Sequence, residues 1–297
     1  MALAEFLDAA IRKSEEGKVA SCYEIEGKKP YENYLSNDAW DAFRNGMSKE
    51  HREQFGKGGG SELKENRGRW GIYPPKMASF GSSSRFVYNL LERVYGEEFD
   101  RVEFEKKLRT RVGGVANLDA YIKSICEIFI EAKCHEIYSS HNSTEINECY
   151  ERVFEDLASN LNWFRYCNVG DSTKTNYSKY SFYYNDKQIK RFDIKQLICH
   201  FLAISAYILE SGEKHNIKFV YLIYNPSDVV KEDNAEGTKI LQQHQATLDE
   251  IVPSDMEKLF ADIFEYQKEN LNKDYSGDYD HFEFVIADQS TIEEHLK

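Results

Sequence analysis

Two short segments carry residues whose types and spacing could do chemistry: Asn117-Leu118-Asp119-Ala120-Tyr121 and Phe129-Ile130-Glu131-Ala132-Lys133. In an extended chain, side chains two apart share a face. Glu131 and Lys133 therefore point one way and Ala132 the other, and Asn117, Asp119 and Tyr121 align in the same manner. Pairing the segments as a hairpin centred on Ile125, with Ser124, Ile125 and Cys126 at the turn, sets Asp119 directly opposite Glu131. Opposed side chains in such a ladder come within roughly 5 Å at Cβ, and a slip of one residue would put them on opposite faces. In this register Leu118, Ala120, Ile128, Ile130 and Ala132 share the other face and can pack inward.

Opposed carboxylates repel. One reading is that Lys133 merely pairs with one of them, in a pattern short enough to arise by chance. The chemical reading is that a cation relieves both. The hard oxygen donors of Asp119, Glu131 and the Ala132 carbonyl suit Mg²⁺ or Mn²⁺. A lysine beside such an ion can hold the attacking water, whose pKa the ion lowers while it polarises the phosphodiester. Together these groups form a set for phosphodiester hydrolysis.

Asp119, the spacing to Glu131 and the Glu131-Ala132-Lys133 triplet resemble the signature of the PD-(D/E)XK superfamily, the restriction-endonuclease-like nucleases. The resemblance spans roughly residues 82–225 and is nearest to bacterial restriction- or prophage-type members. Leu118 stands where the family's eponymous proline would be, and many members lack it. The resemblance implies an α/β fold whose core runs helix, three-strand meander, helix, strand. It also implies metal-dependent cleavage of DNA, less often RNA, with Asp119, Glu131 and Lys133 as the catalytic cluster. Members that cut both strands often act as homodimers. The alternative is a fold-sharing binding or regulatory protein without catalysis.

Further candidates adjoin this cluster. Glu105, on the preceding strand, could extend the metal site, and Glu92 on the first core helix competes for that role. Glu136 reads as a strand-end charge. Lys195-Gln196 occupies the helical position where the family places a Lys or Gln, with an exposed first helical turn as the plain alternative. Lys106, Lys107, Arg109 and Arg111, and then Lys187, Lys190, Arg191 and Lys195, could contact phosphates or be ordinary surface charge. Cys134-His135 and Cys199-His200 are adjacent residues on separate elements, unlike the ligand pairs of a zinc site, and His141 carries no such signal.

The elements that must position these residues follow from punctuation and periodicity. Residues 1–80 read as an accessory segment that opens with an amphipathic helix over 3–16. Its Gly56-Lys57-Gly58-Gly59-Gly60-Ser61 stretch lacks the Gly-Lys-Ser/Thr order, preceding strand and following helix of a phosphate loop. Residues 81–297 read as the nuclease-like domain. It would have a helix over 84–95, strands over 102–110, 115–122 and 128–133, and an insertion at about 138–185 with one helix over 145–160. A helix over 187–210, apolar all round in its second half, implies burial on more than one side. The run Phe219-Val220-Tyr221-Leu222-Ile223-Tyr224 reads as an interior strand within 218–224. A helix over 254–270 and a strand over 282–287 complete the reading.

A formal net charge of −13 argues against a protein that coats nucleic acid non-specifically, because phosphate binding needs clustered cations. It leaves room for a local basic strip and for metal ions offsetting carboxylates. No apolar run reaches membrane-spanning length, and acids come too early for a secretory signal. Six scattered cysteines without a Cys-x-x-Cys pair suggest reduced thiols and a cytoplasmic setting, where the sequons at Asn142 and Asn176 would be incidental.

Overall fold

A computed structural model describes residues 3–15, 21–58, 62–68, 71–138, 143–231, 234–271 and 275–296. His141, Asn142 and residues 59–61 of the glycine stretch lie outside the described residues.

In chain order the elements are α1 (Leu3–Glu15), β1 (Ser21–Tyr23), β2 (Tyr31–Leu35), α2 (Asn37–Gly46), α3 (Lys49–Lys57), β3 (Asn66–Gly68), β4 (Gly71–Tyr73), α4 (Ser83–Tyr95), β5 (Val102–Arg109), β6 (Val115–Ile122), β7 (Glu127–Lys133), β8 (Thr144–Asn147), α5 (Glu151–Asn160), β9 (Phe164–Asp171), β10 (Tyr177–Tyr184), β11 (Lys187–Gln188), α6 (Ile194–Ser211), β12 (Lys214–Ile223), α7 (Ala235–Leu248), α8 (Pro253–Asn270), β13 (Asp278–Ala287) and α9 (Ile292–Leu296). The architecture is mixed α/β around a five-stranded sheet ordered β5, β6, β7, β12, β13, so spatial order follows chain order. β5, β6 and β7 form an antiparallel meander. β12 then runs parallel to β7 and β13 parallel to β12. A parallel return needs a crossover, which α6 provides.

The faces of the sheet follow from alternation. On one face Phe104 and its row neighbours Ala120 and Ile130 meet α4, where the Tyr88 ring lies 5.3 Å from that of Phe104. On the other, Phe129 and Phe219 meet Tyr207 and Phe201 of α6. α6 is covered on its far side by α8, whose Phe260 packs on Phe201 and whose buried Gln267 donates to the Leu202 carbonyl at 3.1 Å. This double cover accounts for a helix buried from Leu197 to Ala206 without interruption. Burying a side chain of this size contributes roughly 1.5–3 kcal/mol. Beside the site, α3 covers edge strand β5: Gln54 Oε1 accepts the Phe104 N–H at 2.8 Å, and Phe55 stacks on Phe104. Covering an edge in this way blocks unwanted strand pairing.

Three expectations need correction. α6 begins at Ile194, not at 187: Asp193 accepts the Gln196 N–H as an N-cap, and residues 187–188 are a strand. Lys187, Lys190 and Arg191 are therefore strand and loop residues. The insertion helix begins at Glu151, because Thr144–Asn147 pairs with β10 and Asn147 caps a short 3-10 turn that follows. The insertion is largely a second sheet, β8, β9, β10 and β11, which the sequence reading lacked. α7 was also not anticipated. Among the described residues no helix is long and apolar enough to cross a membrane.

β13 starts against the end of α6, where the Gly277 N–H bonds the Leu209 carbonyl at 3.1 Å. A Cβ at Gly277 would stand 1.8 Å from the Ile208 carbonyl oxygen, a backbone atom that cannot step aside cheaply. Gly277→Ala should destabilise the fold by about 1–3 kcal/mol, as overpacking does. Denaturant unfolding measures this, and an unchanged midpoint would refute so close an approach.

Candidate active site

The β6–β7 ladder pairs Ala120 with Ile130, Tyr121 with Phe129 and Ile122 with Ile128. One further step in this register places Asp119 opposite Glu131, as the alternation requires. The paired ladder stops there. The Asp119 Oδ2 accepts the Ala132 N–H at 2.7 Å, so a side chain takes over where strand-to-strand pairing ends. Leu118, Ala120, Ile128, Ile130 and Ala132 are all buried on the opposite face.

Glu131 and Lys133 are served by two residues of α6. The Lys133 Nζ donates to Glu131 Oε1 at 2.7 Å and to Gln196 Oε1 at 2.6 Å. The His200 Nε2 lies 3.0 Å from Glu131 Oε2. The geometry explains the match. Two residues along a strand advance about 6.6 Å, and four along a helix about 6 Å. Gln196 and His200 thus meet Lys133 and Glu131 as two facing pairs. The His200 contact is close but poorly aligned: neither nitrogen of the ring nor Glu131 Oε2 completes a hydrogen bond. We therefore treat it as an electrostatic contact.

The electrostatics separate the two carboxylates. Burial pushes the Glu131 carboxyl up, but the Lys133 ammonium and His200 outweigh it and hold the group at about 2. Asp119 is shifted the other way, well above the usual carboxylate range, first by burial and then by the Glu131 charge. Burial pulls the Lys133 ammonium down, but Glu131, with Tyr221 and Glu136, together outweigh it, so it stays charged.

Glu127, at the other end of β7, gives the contrast. It is also buried, yet it receives the Tyr121 hydroxyl at 2.9 Å and lies 3.0 Å from the His215 Nδ1. Glu127 is a satisfied structural acid, whereas Glu131 keeps an oxygen without an aligned partner and Asp119 resists ionisation. A buried polar atom left so is unusual and calls for an explanation.

Comparison with protein-family models, with curated proteins and with solved structures gives no match.

The remaining candidates sort clearly. Glu105 stands opposite Asp119 in the β5–β6 register, buried, with a left-handed backbone (φ 54°) that interrupts the paired residues on either side. It accepts from Asn117 Nδ2, and its charge reaches Asp119. Glu105, Asp119 and Glu131 thus form a row across three strands. Glu92 is exposed on α4, and its charge acts on Tyr88 and His51 instead. Glu136 accepts the Cys134 N–H at the strand end. His135 pairs with Asp8 at 2.9 Å. Among the described residues no group of three His, Cys, Asp or Glu side chains is already disposed to hold a metal. The donor set is nevertheless all oxygen, with the partly unsatisfied Glu131 Oε2 among it, and suits a hard divalent cation better than zinc.

Of the two basic stretches, the first is largely engaged internally. Lys106 pairs with Glu103 at 2.8 Å and covers the Tyr121 ring, Lys107 donates to the Lys57 carbonyl, and Arg111 pairs with Glu210. His200 is the residue sequence reasoning missed. Its signal was its place four residues after Gln196, one helical turn on.

Asp119 supplies a test. A group whose folded pKa is raised adds stability below its unfolded value and loses it as pH rises through the folded one. Without divalent cation, Asp119→Asn should therefore gain thermal stability relative to the wild type as pH rises above about 4, the ordinary carboxylate range. The asparagine oxygen can still accept the Ala132 N–H. A pH-independent difference would show that Asp119 is not strained by ionisation.

Proposed function

We propose that the protein is a divalent-metal-dependent nuclease of the restriction-endonuclease-like type, acting on DNA. The observation that carries the reading is the pairing of a strained Asp119 with a Glu131 held ionised between Lys133 and His200. Glu105 flanks them in the same row. The sheet order, with its meander, crossover helix and parallel fourth strand, supports the fold assignment.

Asp119, Glu131 and the Ala132 carbonyl would hold Mg²⁺ or Mn²⁺. Bound there, the ion would polarise the phosphodiester and lower the pKa of water. The chain's own residues do the rest. Gln196 fixes the Lys133 ammonium, whose fixed charge can stabilise the negative charge developing on the phosphate. His200 keeps Glu131 ionised and available. The partner is DNA, with a second copy of the chain where both strands of a duplex are cut. The six cysteines, all unpaired, fit a cytoplasmic setting.

The test is cleavage of labelled single-stranded DNA, duplex DNA and RNA with Mg²⁺ or Mn²⁺, against an EDTA control. Asp119→Asn is the informative variant, because its expected stability removes unfolding as an explanation. It should lose activity by about 100-fold or more. Lys133→Met should lose a similar factor where circular dichroism shows it folded. No cleavage of any substrate would sink the nuclease reading, and an unchanged rate in Lys133→Met would remove that residue from the mechanism.

A further inference from the structure

Between the insertion sheet and the start of α6 lies a cavity of about 310 Å³. Its lining includes Thr144 and Ser181 from the insertion and Lys190, Arg191, Asp193 and Lys195 from the approach to the helix. No residue of the catalytic cluster lines the cavity, but two lining residues connect the two. Lys195 immediately precedes Gln196, which holds Lys133. Phe192, also in the lining, stacks at 4.2 Å on Tyr221, the strand neighbour of Glu131.

The balance of charge in this cavity is the opposite of the chain's. Glu145 is occupied by Lys174 at 2.8 Å and by the Ser172 hydroxyl at 2.9 Å. Asp193 caps α6 through the Gln196 N–H. The two acids of the lining are thus spent, while Lys190, Arg191 and Lys195 make no ion pair among the described residues. The loop that carries the first two is fixed from beneath. Glu250 accepts the backbone N–H groups of Lys190, Arg191 and Phe192 at 3.0, 3.2 and 2.9 Å. Three N–H donors give the Glu250 oxygens hydrogen-bond partners, and the loop it ties needs no side-chain charge to hold its shape.

We propose that this cavity seats one nucleotide of a single-stranded nucleic-acid segment, its phosphates met by Lys190, Arg191 and Lys195, next to the site of cleavage. The inference rests on the nuclease reading and names the form of its substrate. The volume lies at the lower end of the roughly 300–1,000 Å³ of sites that enclose a small-molecule-sized group. One nucleotide is of that order. A duplex, with a major groove alone about 12 Å wide, is not. A strand that enters here is therefore unpaired at that point, as in a single-stranded region, a frayed end or an overhang.

Fluorescence anisotropy in EDTA, where no hydrolysis occurs, tests the site separately from the chemistry. The probes are a labelled single-stranded oligonucleotide and the corresponding blunt duplex, with the full chain and the Lys190→Glu/Arg191→Glu variant. The single strand should bind about tenfold tighter than the duplex, and the double variant should lose about tenfold or more. Each single-strand phosphate contact contributes about 0.7 to the salt slope, so the double variant's slope should fall by about 1.4. Lys195→Gln should lower affinity less, and Lys29→Glu, an exposed lysine outside the lining, should not change it. Equal binding by the double variant, or tighter binding of duplex, overturns the proposal. Should cleavage fail with every substrate while this binding pattern holds, the nuclease reading falls and the strand site stands.

Discussion

A buried carboxylate needs a countercharge, and the arrangement around Glu131 is built to that requirement. Glu131 is nearly inaccessible, and removing one partner from such a pair typically costs about 3–5 kcal/mol. Its partners come from two directions: the Lys133 ammonium along the same strand and His200 from the helix above. The arrangement works only if β7 and α6 are held in one relative position. β12 parallel to β7, and α8 behind α6, hold them there. The apolar bulk of the fold thus keeps a strand repeat and a helical turn in step at a single point.

β7 also shows how one strand can carry two acids with different roles. Glu127 at its start has the Tyr121 hydroxyl on one oxygen and His215 beside the other. Four residues on, Glu131 faces Asp119 where the two strands stop pairing. The Asp119 carboxyl oxygen stands in for the missing ladder bond by accepting the Ala132 N–H. The two acids sit in different surroundings within the length of one short strand, and the contrast between its ends is internal to the protein.

What the sequence revealed follows the strength of each physical signal. The β6–β7 register was legible because alternation has a period of two, and the alignment with a short turn at Ile125 buried Leu118, Ala120 and Ile130 while gathering Asp119, Glu131 and Lys133. The start of α6 was misplaced because polar and apolar residues between 187 and 193 can extend a helical pattern. The decisive sign was Asp193 followed three residues later by Gln196, the spacing of a capping box. β10 escaped notice because Tyr177 to Tyr184 mixes aromatic with polar residues rather than alternating cleanly. His200 was weighed only as a zinc ligand beside Cys199. Its partner lies on another element, and no local pattern connects the two.

Glu105 links the site to the opposite end of the chain. Its carboxylate oxygen lies 2.5 Å from where a Cβ on Gly58 would be, just past the last turn of α3, and Gln54 of that helix holds the same strand at Phe104. The row of acids therefore ends against a helix from the first sixty residues, which sets how far the outermost carboxylate can lean away. Sequence drift in that segment is consequently constrained by charge placement about half a sheet away. The protein could not discard the segment, or exchange it for an unrelated cover, without retuning the centre it borders.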